Sequence, residues 1–271
     1  MSAREAPGSG AATPRERRRA RDAEWLCMGE VPVLDLDAVH VWRADVDSFA
    51  RTIPMLVRLL DTAESSRARA FHAVSDADRY VIAHGLLRAL LARYVDADPA
   101  SLRFETGVYG KPRFDTAMPA SGLRFNMSHT HDMIVFAFAR ERDVGVDVER
   151  WTPDVECLEL AQHFFSRAES EALAALPRDA QRAAFFDCWS RKESYIKATG
   201  LGVSHGLDHF DVTLAPDDDA ALVADRSAPD ATYRWRMRDL ELPRGHSGAV
   251  VAEGMDWDLE RFVASPSLVA A

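Results

Sequence analysis

Two carboxylates two residues apart, Asp147 and Glu149, interrupt the apolar stretch DVGVDVER, Asp143 to Arg150. Val144, Val146 and Val148 alternate along it, the pattern of a buried strand. Residues i and i+2 of a strand point the same way, so both carboxylates project from one face. Like charges held that close raise each other's pKa, and a divalent cation removes the repulsion. Hard oxygen ligands suit Mg²⁺, with Mn²⁺ as the alternative. Exposed carboxylates on an edge strand, or partners for Arg150, fit the same spacing. A second set lies in WSRKESYIK, where Trp189, Glu193 and Lys197 fall at i, i+4 and i+8 and share a helical face. With Trp189 in the core, Glu193 and Lys197 lie at the edge of an apolar surface, with Lys192 beside them. They read either as an ordinary i,i+4 ion pair or as a third metal ligand beside a lysine that reaches a phosphate.

Three further groups carry charge or polar atoms. Ser128 and His129, in FNMSHT at a strand end, offer hydroxyl, imidazole and backbone N–H groups to an anion. A nucleophile–base pair is disfavoured there, because adjacent strand residues face opposite ways. In YGKPRF, Tyr109 to Phe114, Gly110 allows close backbone approach and Lys111 and Arg113 supply charge around Pro112. Arg67 and Arg79 add cations upstream, although an isolated helical arginine is more often solvated.

The elements that must position these residues follow from periodicity. A strand is expected over Val39 to Val46, then helices over Ser48 to Ala70 and Asp76 to Val95. Gly107, Gly110 and Pro112 punctuate a loop or hairpin over Arg103 to Phe114. Two strands within Leu123 to Ala139 join through Ser128 to Asp132, and DVGVDVER follows. Ser166 and Glu169 form a capping box, and a long helix runs from Pro177 to Gly200. FDVTL, TYRWRMRDLEL and GAVVAE are strand-like. Strands and helices thus come round twice, which suggests an α+β chain of two halves, 25–142 and 143–271. Residues 1–24 read as a flexible Arg-rich tail.

The net charge of −10 argues against nucleic-acid binding by the surface at large. No apolar run is long enough for a membrane span, and the arginine-rich start lacks a secretory apolar core. Cys27, Cys157 and Cys188 are an odd set without CxxC spacing, expected as reduced thiols in a cytoplasmic protein.

Taken in order, YGKPRF, FNMSHTHD, VGVDVER and WSRKESYIKATGLGV resemble the 4′-phosphopantetheinyl transferase family, in its larger surfactin-synthetase-activating type. The resemblance spans about Asp76 to Val203; the first and last 60 residues do not align. It implies an α+β fold of two similar halves related by a pseudo-two-fold, in a monomer. It also implies transfer of the phosphopantetheine arm of coenzyme A to a serine of an apo acyl or peptidyl carrier protein, releasing adenosine 3′,5′-bisphosphate. By the resemblance Asp147, Glu149 and Glu193 are the metal ligands, and Lys197 lies near the pyrophosphate. Ser128, His129 and Tyr109 to Arg113 match coenzyme A-binding segments, Arg79 matches an arginine at the 3′-phosphate, and Arg67 is a looser match. Lys197 and His129 would stabilise developing charge, with Glu193, or a metal-bound water it orients, as the base. Carrier docking is expected on a basic and apolar patch near Arg191 and the loop Gly200 to Gly206. The rival readings are a noncatalytic carrier- or nucleotide-binding protein of the same fold and a Mg²⁺-dependent phosphohydrolase.

Overall fold

In the computed structural model, residues 24–269 are described, except 108–109, 117, 119–121, 203–205 and 216–217. One element order occurs twice in this α+β chain. The first round runs from β2 (Ala38–Asp45) through α1 (Ile53–Leu56) and α2 (Thr62–Arg69) to the 22-residue α3 (Val74–Val95). A small hairpin follows, β3 (Phe104–Thr106) and β4 (Pro112–Phe114), then β5 (Leu123–His129) and β6 (Met133–Arg140). The second round runs from β7 (Val144–Arg150) through α4 (Cys157–Phe164) and α5 (Arg167–Ala175) to the 22-residue α6 (Arg178–Thr199). Again a small hairpin follows, β8 (Phe210–Val212) and β9 (Leu222–Asp225), then α7 (Ala231–Arg234), β10 (Trp235–Asp239) and β11 (His246–Glu253). The strand orders match as well. β2 pairs β6, which pairs β5; β7 pairs β11, which pairs β10; all four pairings are antiparallel.

The C-terminal strand breaks the symmetry. β12 (Asp258–Ala264) returns to the first sheet and lies between β1 (Trp25–Met28) and β2, parallel to both. That sheet is therefore β1-β12-β2-β6-β5, and among the described residues regular structure begins at Trp25, ahead of the strand expected from Val39. The helix expected over Ser48 to Ala70 is also interrupted. Leu60 is extended, and Asp61 caps a new helix by accepting from the Glu64 N–H while Glu64 accepts from the Asp61 N–H. A capping box restarts a helix because it satisfies the first free amides. The same device, Ser166 with Glu169, starts α5.

The layers run helix, sheet, sheet, helix. The valine face of β7 packs with Val39, Val41, Val135, Ala137 and Val250 in a core shared by the two sheets. α3 covers the far side of the first sheet and α6 that of the second. Both faces of β6 are covered, so MIVFAFA reads as one continuous apolar run. At the seam, β5 and β7 lie side by side without a shared ladder, tied through Asn126 Oδ1, which accepts from the Val146 N–H at 2.9 Å.

Candidate functional site

With the valines of β7 spent on the shared core, Gly145, Asp147 and Glu149 face α6. Gly145 sets how close the helix comes. A Cβ there would stand 2.2 Å from both the Ala198 nitrogen and the Ser194 carbonyl oxygen, so only a residue without one fits. This contact brings Glu193 and Lys197 over the carboxylates. Lys197 Nζ lies 2.6 Å from Asp147 Oδ1 and donates at 2.9 Å to Ser128 Oγ, which itself donates to Asp147 Oδ1 at 2.7 Å. Met127, Ser128, His129, Asp147, Glu149, Glu193 and Lys197 line one cleft at the seam. The ion pair is no surface decoration, since Asp147 is only 2% exposed.

Charge in this cleft is unbalanced. Burial, then Asp147 and Glu193, push the Glu149 carboxyl up to about 7 against the pull of Lys197 and a Trp189 hydrogen bond. Burial and Asp147 raise Glu193 as well. Asp147 Oδ2 is buried without a hydrogen-bond partner. Three carboxylates thus share one ammonium, and a buried carboxylate oxygen lacks a donor. That donor set fits a hard divalent cation. Among the described residues no three His, Cys, Asp or Glu side chains close into a ready metal cage. A cation here would therefore complete its shell with water or a bound phosphate, as Mg²⁺ commonly does.

Basic groups of α3 lie near His129, which itself lines the cleft. His129, at the end of β5, has its imidazole pKa lowered by burial and then by Arg79, Lys197 and His84. Arg79, on α3, donates to Asp76 at 2.7 Å. Arg67, on α2, is exposed with its guanidinium 5.8 Å from the Phe71 ring centre. Tyr80 and His84, one turn apart on α3, stack at 4.0 Å. Sequence reasoning missed this pair; its signal was the i,i+4 spacing directly after Arg79.

Lys111, Pro112 and Arg113 line a separate cleft with Phe114, Phe125 and Gly200. The two clefts lie at opposite ends of β5, one beside residues 123–125 and the other beside 127–129. At ~3.3 Å per strand residue they are roughly 13 Å apart along one seam. Lys111 is not a free cation. Its ammonium donates to the carbonyls of Val144 (3.0 Å) and Ala198 (3.1 Å), and burial lowers it to about 8. It struts the β3–β4 hairpin against β7 and α6 at once. Arg113 pairs with Glu105 at 2.8 Å. Gly110 has φ +87° and open space where a side chain would stand. Tyr109 lies outside the described residues.

The basic patch expected near Arg191 is not a surface. Arg191 is 3% exposed and grips both oxygens of Asp239. Lys192 is fully buried between Glu169 and the carbonyls of Leu207 and Phe210. The helix face that carries Glu193 and Lys197 leaves these neighbours pointing into the core of the second half, where a charge needs partners.

Two family models match the chain. The one described as 4′-phosphopantetheinyl transferase superfamily covers residues 143–252, and the one described as 4′-phosphopantetheinyl transferase, N-terminal, covers 41–141. Similar curated proteins include the 4′-phosphopantetheinyl transferase HetI of Nostoc sp., 31% identical over 86% of this chain and 95% of that protein. The 4′-phosphopantetheinyl transferase Sfp of Bacillus subtilis is 33% identical over 70% of this chain and 81% of its own. The 4′-phosphopantetheinyl transferase psf-1 of Bacillus pumilus is 32% identical over 71% and 80%.

Proposed function

This chain belongs to the 4′-phosphopantetheinyl transferase superfamily, and on that footing we propose that it moves the 4′-phosphopantetheine arm of coenzyme A to a serine of an apo carrier protein, as a cytoplasmic monomer of two halves, 25–142 and 143–271. The observation that carries this reading is the seam cleft, where Asp147, Glu149 and Glu193 meet Ser128 and Lys197 with one carboxylate oxygen unsatisfied. Asp147, Glu149 and Glu193 would hold Mg²⁺ or Mn²⁺. Bound there, such an ion neutralises pyrophosphate charge and acts as a Lewis acid.

The chain's own residues supply the rest. Lys197 and His129 donate to pyrophosphate oxygens as negative charge grows on the leaving group. Arg79, with Arg67 beyond it, takes the 3′-phosphate. The Tyr109 to Arg113 stretch contributes to coenzyme A binding, with Lys111, Pro112 and Arg113 lining the second cleft; Lys111 acts there as the strut that shapes the wall, and Arg113 as the exposed charge. The carrier serine Oγ attacks the β-phosphorus, and the pyrophosphate P–O bond breaks. Adenosine 3′,5′-bisphosphate departs with the bridging oxygen. Glu193, or a water it orients, receives the serine proton.

Intact-protein mass spectrometry of apo carrier proteins with coenzyme A and Mg²⁺ tests the reading. A gain of one phosphopantetheine mass, abolished by EDTA, is expected. Free phosphopantetheine with no carrier gain would mean hydrolysis, and bound coenzyme A with no product would mean a noncatalytic binder.

A further inference from the structure

Ser128 and His129 sit on the edge strand of one half, while the carboxylates and Lys197 belong to the other. No ladder joins β5 to β7. What fixes their spacing is side chains: Asn126, which accepts from the Val146 N–H, and Ser128 and Lys197, which are the proposed machinery itself. A further link lies just beyond His129. The β5–β6 turn is closed by the Thr130 N–H, which donates to the Met133 carbonyl at 2.9 Å. Its last residue, Asp132, accepts from the Val46 N–H through its backbone carbonyl at 3.0 Å, which ties it to the first half. Its carboxylate reaches the second half. Oδ1 stands 3.0 Å from His246 Nε2 at the start of β11, and Oδ2 is 3.9 Å from Arg150 Nη1 at the end of β7. Arg150 and His246 are register partners, so one carboxylate reaches both the strand that carries Glu149 and the strand paired with it.

We infer that Asp132 is a positioning residue: it clamps the turn that carries His129 to the β7–β11 pair of the other half and so sets the spacing of the two banks of the coenzyme A cleft. Asp132 is 40% exposed at its side chain and Arg150 46%. Exposed ion pairs add little to global stability. The clamp is therefore local. A displacement of about 1 Å in a catalytic or binding group can cost a hundredfold in function.

The inference rests on the transferase reading only for what the cleft binds, so binding is measured apart from transfer. Calorimetry with coenzyme A and Mg²⁺ on the full chain gives the dissociation constant. Asp132→Ala and His246→Ala are each expected to weaken binding by roughly tenfold, and the double variant by the same factor, since both break one link. Asp132→Asn keeps an acceptor for His246 Nε2 and should restore most of the affinity, which a merely structural loss would not predict. Circular dichroism checks that each variant is folded; Asp132 is exposed enough that its two variants test the clamp even if His246→Ala does not fold. Unchanged affinity in Asp132→Ala, a multiplicative double variant, or no rescue by asparagine overturns the clamp. Wild-type protein that binds coenzyme A but modifies no carrier overturns the transferase reading and leaves the clamp standing. Failure to bind coenzyme A overturns both.

Discussion

Gly145→Ala tests how strand and helix are held together to make the site. The added Cβ would stand 2.2 Å from two backbone atoms of α6, the Ala198 nitrogen and the Ser194 carbonyl oxygen, and 2.8 Å from the Ala198 Cα. Ordinary contact starts at 3.4 Å, so the shortfall exceeds 1 Å. No rotamer relieves it, because every clashing atom is main chain. The helix must lift off β7 or the strand must recede into the valine core. Overpacking of this kind costs about 1–3 kcal/mol, and more where backbone resists. The activity loss should be larger in proportion. Glu193 and Lys197 ride on the helix that lifts, while Asp147 and Glu149 stay on the strand, so a shift of about 1 Å at this contact should lower transfer roughly a hundredfold. Urea unfolding and the initial rate of carrier mass gain, measured on the same preparation, read both effects. Stability within about 0.5 kcal/mol of wild type, with a rate within twofold, would refute the contact and the argument built on it.

Asp147→Ala and Glu193→Ala should each remain folded by circular dichroism yet lose at least about a hundredfold in transfer rate; near-normal rates at saturating Mg²⁺ would remove those carboxylates from the ion site. Glu149 makes stability depend on pH. Its folded-state pKa of about 7 lies above the ordinary 4.5, so the folded chain holds an extra proton between those values. In metal-free protein that contribution is fully present below pH 4.5 and is lost as pH rises through 7. After a discount for partial solvent exposure the loss is about 1–2 kcal/mol, and Mg²⁺ added at pH 8 should reverse it in thermal melts. Arg191→Glu should destabilise the fold by about 3–5 kcal/mol, because it leaves Asp239 facing a buried like charge; a carrier-binding defect with an unchanged melting temperature would contradict that.

Local patterns carried much of this protein openly. The alternation of Val144, Val146 and Val148 gave a strand whose other face had to hold Asp147 and Glu149, and the structure has that strand. Pro177 and Gly200 bracketed α6 correctly, and the Ser166–Glu169 box was visible because capping is a matter of a few adjacent residues. The order of four short motifs sufficed for the family. β12 stayed hidden because DLERFVA pairs with strands more than 200 residues away, and no local signal encodes such a partner.

Side-chain fates were the other gap. Arg191, Lys192 and Lys111 are cations that a sequence offers to any anion, yet each is spent on a carboxylate or carbonyls of distant segments. Burial decides such cases, since a desolvated charge must find partners wherever the fold brings them. Residue types and spacing determined which groups could do the chemistry. Only the packing of α6 on Gly145, and of one half on the other, decided which of them meet.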